Sequence, residues 1–242
     1  MKFKNKTVFI SGVNRGLGKS IFEKFLKEGA DIICTVRKKS KTFSDYLKNL
    51  KSNYRNKIQV LYLDFENRDK LVLGLNKIKK NTIIDILINN AGYASGSILE
   101  MTKIDEIEKN FQINFFAHIQ IIQKLLPNLK KSEDPSIINV GSISSFLNHK
   151  GTIAYGSSKA SIAFATKVMA NEFRRYKIRV NAIAPSAINT DMLKKMDNKS
   201  KIRLLKDTNI KKPHSVKTIV NKIILLSSSK LNHINGKIIK NF

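Results

Sequence analysis

A single cysteine, Cys34, stands in the 242-residue chain. That scarcity excludes an internal disulfide framework and any cysteine cluster for zinc, and it leads us to expect a cytoplasmic protein. Long apolar runs are missing as well. The longest, such as Ile83 to Ile88, have strand length and fall well short of the ~18 residues a membrane span needs. The amino terminus, MKFKNKTVFI, lacks the apolar stretch and small-residue cleavage site of a signal peptide. His118, His149, His214 and His233 are isolated and share no ligand spacing, so no metal is expected and they read as structural or surface residues. Acidic side chains are few, with 18 Asp and Glu against 45 Lys and Arg and a net charge of +27. Such an excess invites a nucleic-acid reading. The lysines, however, are spread over nearly every polar segment, and arginine, the usual base-reading residue, is sparse. Asn and Ile are abundant, as in proteins from AT-rich genomes. Compositional drift therefore accounts for the charge more simply than a nucleic-acid groove, and an acidic partner or polyanionic substrate stays open.

What is present is enough for a sizeable core, with 42% hydrophobic residues. Strand-like runs are expected at Thr7 to Ile10, Ile32 to Val36, Ile58 to Leu63, Ile83 to Ile88, Ser136 to Val140, Ile178 to Ile183 and Lys237 to Lys240. Helical patterns separate them: Lys19 to Glu28, Asp69 to Lys79, Ile104 to Leu126 stopped near Pro127, Ile153 to Arg175, and Val216 to Ser227. This alternation predicts an α/β fold: one doubly wound Rossmann-type domain over residues 1–242, with a parallel sheet of about seven strands and helices on both faces. The lysine-rich stretch from Lys194 to Lys212 reads as a mobile excursion.

Two local patterns carry chemistry. SGVNRGLG, residues 11 to 18, joins the first strand to the first helix. Its glycines, Gly12, Gly16 and Gly18, lack the G-x-G-x-x-G spacing but serve the same physics: a sharp turn and close backbone approach to a pyrophosphate at a helix N-terminus. A plain Gly-rich connection is the competing reading. The second strand ends in TVRKKSK, with Arg37 where an acid would bind a ribose hydroxyl and an arginine accommodates a 2′-phosphate. With Arg15 inside the turn as a second cation, this predicts NADP(H) over NAD(H), unless Arg37, Lys38 and Lys39 merely form a solvated basic loop. The second pattern is AYGSSKAS, residues 154 to 161. On a helix Tyr155 and Lys159 share a face one turn apart. They are either surface decoration or an acid with the cation that tunes it. A nearby ammonium lowers a phenol from its usual ~10.

With these residues together, the chain strongly resembles the short-chain dehydrogenase/reductase family from about Lys6 to Ile239. Ser11-Gly12-x-x-x-Gly16-x-Gly18 matches the family's TGxxxGxG turn, Asn89-Asn90-Ala91-Gly92 its NNAG stretch, and Tyr155 and Lys159 its YxxxK pair, with Ser142 standing 13 residues before Tyr155. The resemblance implies a catalytic set of Asn114, Ser142, Tyr155 and Lys159. It implies cofactor contacts from Gly12, Asn14, Arg15, Gly16, Leu17, Gly18, Arg37, Asp64, Asn90, Ala91, Gly92, Tyr155, Lys159, Pro185 and Thr190. Asp64 would meet the adenine and Thr190 the nicotinamide carboxamide. The family's Pro-Gly pair reads Pro185-Ser186 here, and the chain ends in GKIIKNF, shorter than many relatives.

The resemblance implies an NADP(H)-dependent oxidoreductase acting on a small carbonyl or secondary alcohol, and the overall pattern is similar to 3-oxoacyl-[acyl-carrier-protein] reductases. A basic surface suits an acidic carrier protein. The alternatives are a reductase of a sugar or surface-polysaccharide precursor, or a catalytically silent NADP-sensing or nucleic-acid-binding protein. Substrate-lining residues are expected in Phe146 to Thr152 and Met192 to Ile210. A homodimer or homotetramer is expected through the fourth and fifth helices, where Ile107, Phe111, Phe115, Ile162 and Phe164 supply apolar positions or core.

Overall fold

The structure of the protein, a computed structural model, describes residues 1–189, 193 and 198–241. Seven strands are described: β1 (Thr7–Ile10), β2 (Asp31–Val36), β3 (Ile58–Tyr62), β4 (Ile86–Asn89), β5 (Ser136–Val140), β6 (Arg179–Pro185) and β7 (Ile238–Asn241). They form one sheet in the order β3-β2-β1-β4-β5-β6-β7, and every pair is parallel. The order reverses between β1 and β4, and the crevice beyond their carboxyl ends is where such sheets bind ligands.

Parallel strands need crossovers, and here those are helices. They are α1 (Gly16–Lys27), α2 (Lys41–Asn53), α3 (Arg68–Leu75), α4 (Ile104–Phe111), α5 (Ala117–Leu129), α6 (Ile153–Glu172), α7 (Asn198–Asp207) and α8 (Val216–Leu226). Side chains alternate across a strand, so β1 feeds two cores. Val8 and Ile10 pack with Phe22 and Phe25 of α1, Phe43 of α2 and Ile223 of α8. Phe9 packs with Leu71 of α3, Ile121 and Leu125 of α5 and Met169 of α6.

Several elements depart from the sequence pattern, each for a local reason. α2 is helical although its pattern gave no helix: only Phe43 and Leu47 are buried among lysines, and the Ser40 hydroxyl caps the start by accepting from Phe43 N at 3.2 Å. β4 begins at Ile86 rather than Ile83. Ile83 is 47% exposed, and the buried Asp85 carboxylate accepts from Lys6 Nζ, Thr7 N and Ser132 Oγ. The long helix expected from Ile104 is split by a π turn, Gln112–Phe116, and then runs past Pro127 to Leu129. Within the lysine-rich excursion, Asn198–Asp207 forms α7.

Candidate active site

The turn after β1 is held by hydrogen bonds from both sides. Gly12 N donates to Thr35 O and Oγ1, each at 3.1 Å, and Val13 N to Thr35 O at 3.1 Å. Ser11 Oγ accepts from Asn90 N and Ala91 N at 2.9 and 3.0 Å, while Asn90 Nδ2 donates to Ser11 O and Gly12 O at 3.0 and 3.1 Å. Gly12 has φ +72, and a Cβ there would sit 2.9 Å from Ala91 Cα. A Cβ on Gly18 would collide with the Gly12 carbonyl oxygen and with Asn90 Nδ2. These two glycines are required by backbone contact. Asn14 and Arg15 complete the turn, Gly16 opens α1, and Leu17 lies in its first turn. That helix start has no side-chain cap and no acidic residue in its first turn. Its N–H groups are suited to an anion, so this stretch fits a dinucleotide pyrophosphate.

The ribose corner differs from expectation. Arg37 does lie at the end of β2, but Arg37 Nε is 3.4 Å from Asp64 Oδ2 and Arg37 Nη2 is 3.1 Å from Glu66 Oε1. The same Glu66 oxygen is 3.3 Å from Lys109 Nζ. Glu66 and Lys109 carry no motif, and only the tertiary fold brings them beside Arg37.

The remaining residues gather past the ends of β4 and β5. Asn114 lies on the π turn, fully buried. Its amide donates to Tyr93 O at 2.8 Å and Ser158 Oγ at 3.0 Å, and its Oδ1 accepts from Tyr93 N at 2.8 Å. A Cβ on Gly92 would lie 3.4 Å from Asn114 Oδ1 and 3.5 Å from Lys159 Nζ, so both side chains crowd one face of this glycine. Lys159 is buried on α6 and donates to Val140 O at 2.8 Å. Burial pushes its ammonium down to about 8. Ser142 follows β5 and caps a short turn, its Oγ accepting from Ser144 N at 3.2 Å. Burial raises the Tyr155 phenol, and hydrogen bonding with Ser142 works against that rise. Lys159 was expected to lower Tyr155; here burial dominates and the phenol is raised, while the Lys159 ammonium donates to Val140 O.

Residues 6–201 match the sequence profile of the short chain dehydrogenase family. The chain belongs to that family. It is similar over 99% of its length to the 3-oxoacyl-[acyl-carrier-protein] reductase FabG of Buchnera aphidicola subsp. Schizaphis graminum (strain Sg), with 30% identity and 96% of that protein covered. It is 26% identical to the 3alpha-hydroxysteroid dehydrogenase of Mediterraneibacter gnavus, covering 99% of this chain and 96% of that one. In fold it is similar to a short-chain dehydrogenase/reductase from Serratia marcescens BCRC 10948, with a TM-score of 0.90 at 20% identity over 100% and 98% of the two chains. The family is one of oxidoreductases.

Within that family frame the loop after β6 departs in composition. Pro185 closes β6, and Ser186, standing for the usual Gly, is 8% exposed. Among the described residues the left-handed non-glycine positions are Asn5, Lys177 and Asn209, so a serine fits at 186 without strain. Thr190 lies outside the described residues. Beyond the loop, Ile143, Ala187 and Leu204 form a small apolar cluster, and His149 Nε2 meets Asp207 Oδ2 of α7 at 2.5 Å.

One neighbour of the site carries no family motif. His118 is fully buried one turn after Asn114, and its Nε2 lies 2.9 Å from Ala91 O. Bonding to a carbonyl makes Nε2 the protonated nitrogen. Burial first, and then the Lys159 charge, push the imidazole down to about 3. The i, i+4 spacing from Asn114 was its only sequence signal. Among the described residues no group of three or more His, Cys, Asp or Glu is arranged to hold a metal, and no helix is long and apolar enough to cross a membrane.

Proposed function

We propose that the chain, acting as one domain over residues 1–242, is an NADP(H)-dependent reductase of a carbonyl in a 3-oxoacyl thioester, with Tyr155 as the proton donor. The observation that carries this reading is the convergence of Asn114 and Lys159 on one face of Gly92, one residue past Ala91, which itself abuts the Gly12 turn. The cofactor cleft and the acid–base group thereby share one wall. Bound NADPH would supply a hydride to the carbonyl carbon. Ser142 donates a hydrogen bond to the carbonyl oxygen and stabilises the charge that develops there. Tyr155 then gives that oxygen its phenolic proton. Its raised pKa keeps the proton in place at neutral pH, which suits reduction better than oxidation. Lys159, still largely cationic at neutral pH, offsets the charge left on the phenolate. Asn114 fixes the Tyr93 backbone against α6 and so holds the wall of the pocket.

Thioester reduction is favoured by whole-length similarity to FabG reductases. The net charge of +27 suits a substrate presented on an acidic carrier. We also infer a homodimer through α4 and α6. Ile104 and Phe164 are 64% and 71% exposed there, whereas Ile162 is wholly buried and belongs to the core. The test is the oxidation of NADPH, and separately NADH, by purified protein with an acetoacetyl thioester. Fast turnover with NADPH is expected. Tight NADPH binding without turnover on any 3-oxoacyl thioester would overturn the substrate assignment and leave the cofactor assignment standing.

A further inference from the structure

The corner beyond β2 holds two cations and two carboxylates in one chain of contacts. Asp64 Oδ2 takes Arg37 Nε, Glu66 Oε1 takes Arg37 Nη2, and Lys109 Nζ shares that same Glu66 oxygen. Nε and Nη2 form one forked edge of the guanidinium, the geometry that receives two oxygens of a phosphate or a carboxylate. In this protein that edge is already filled by carboxylates. We propose that Glu66 is a specificity-determining residue that competes with the cofactor's 2′-phosphate for Arg37 and so limits the preference for NADPH over NADH. The proposal rests on the NADP(H) reading above.

Charge supports competition over preorganisation. A 2′-phosphate arriving at Arg37 brings about two negative charges beside two existing ones. It must either displace Glu66 from Nη2 or sit against it. Asp64 cannot account for this alone, because its nearer contact is with Nε and its other oxygen is used locally, accepting from Glu66 N at 3.2 Å. Glu66 has no comparable local duty among the described residues: its carboxylate contacts are the two cations. NADH carries a hydroxyl in place of the phosphate, so the competition does not touch it.

The size of the effect is bounded by exposure. The Arg37 side chain is 60% exposed and that of Glu66 33%. Exposed pairs contribute at most about 1 kcal/mol, which at 1.4 kcal/mol per tenfold is about fivefold in affinity.

The test is a titration of wild type and Glu66→Gln with NADPH and with NADH, read by nicotinamide fluorescence, with no substrate present. The expected result is NADPH binding about three- to fivefold tighter in the variant, with NADH unchanged. A folding defect would not produce a selective gain. In an Arg37→Gln background the same change is expected to give no gain. Lys109→Gln, which leaves Glu66 to Arg37 alone, is expected to weaken NADPH about twofold. Unchanged or weaker NADPH binding in Glu66→Gln would overturn the proposal. Equal wild-type affinities for the two coenzymes would overturn the NADP(H) reading instead, while a gain confined to NADPH in the variant would still uphold the role of Glu66.

Discussion

The two rims of the cleft are built differently. On the cofactor side, Ser11, Gly12, Thr35, Asn90 and Ala91 are tied by hydrogen bonds that mostly involve backbone atoms. On the proposed substrate side, the contacts include a small apolar cluster around Ile143, Ala187 and Leu204 and the Asp207 carboxylate, which meets both His149 and Arg203. A backbone lattice fixes geometry and tolerates few residue types, whereas a side-chain clasp can change with the ligand. The first rim is therefore expected to answer to cofactor measurements and the second to substrate measurements alone.

Tyr155 belongs to neither rim, and its removal gives the largest effect. Tyr155→Phe deletes the proposed proton donor while keeping the ring, and turnover is expected to fall about 10³-fold or more. NADPH affinity is expected to stay within about twofold. Retained turnover would remove Tyr155 from its assigned role.

Arg37→Glu sharpens the cofactor side. It replaces the cation proposed to bind the 2′-phosphate with a third carboxylate beside Asp64 and Glu66. Losing a charge-assisted bond and gaining repulsion is expected to cost NADPH about thirtyfold in affinity, and NADH less than about threefold. Equal losses for both coenzymes would take the 2′-phosphate away from this corner.

His118 tests whether the cofactor rim is braced from below. Its folded value of about 3 lies under the ordinary unfolded value near ~6.5. As pH falls through about 6.5, the unfolded chain takes up a proton that the folded chain refuses, so stability is lost progressively until about pH 3. Between pH 6.5 and pH 5 this amounts to about 2 kcal/mol at roughly 1.4 kcal/mol per unit. His118→Gln keeps a donor for Ala91 O and removes the titration. Urea unfolding at pH 7 and pH 5 is expected to show about 2 kcal/mol less acid destabilisation in the variant than in wild type. Equal losses would mean that His118 takes up its proton in the folded state as readily as in the unfolded one.

The same contrast explains what could be read in the sequence. Gly12, Gly18 and Asn90 are legible because backbone contact admits almost nothing else at those positions. The strands were legible because buried parallel strands are continuous apolar runs. α2 was hidden because Phe43 and Leu47 are its only buried side chains, with Tyr46 and Leu50 half-buried beside them under a lysine-rich face. The π turn at Asn114 and the passage of α5 through Pro127 have no local sequence signature. Lys159 turning to Val140 O, and Glu66 meeting Arg37, depend on distances between elements far apart in the chain. Spacing placed Lys159 on its helix without saying what it would touch, and Glu66 carried no signal at all.

The smallest effect is expected at the substrate rim, and it decides whether the two rims are separate. His149 is held by its own backbone, its carbonyl accepting from Thr152 Oγ1 at 2.7 Å, and its ring reaches Asp207 of α7. Asp207 also pairs with Arg203 at 3.6 Å, so losing the imidazole leaves the carboxylate paired. A partly exposed pair contributes at most about 1 kcal/mol. His149→Ala is therefore expected to raise KM for an acetoacetyl thioester about threefold, with kcat and NADPH affinity unchanged. A matching loss of NADPH affinity would break the comparison, because loosening α7 would then have reached the Gly12 turn through the sheet, and the cleft would respond as one unit.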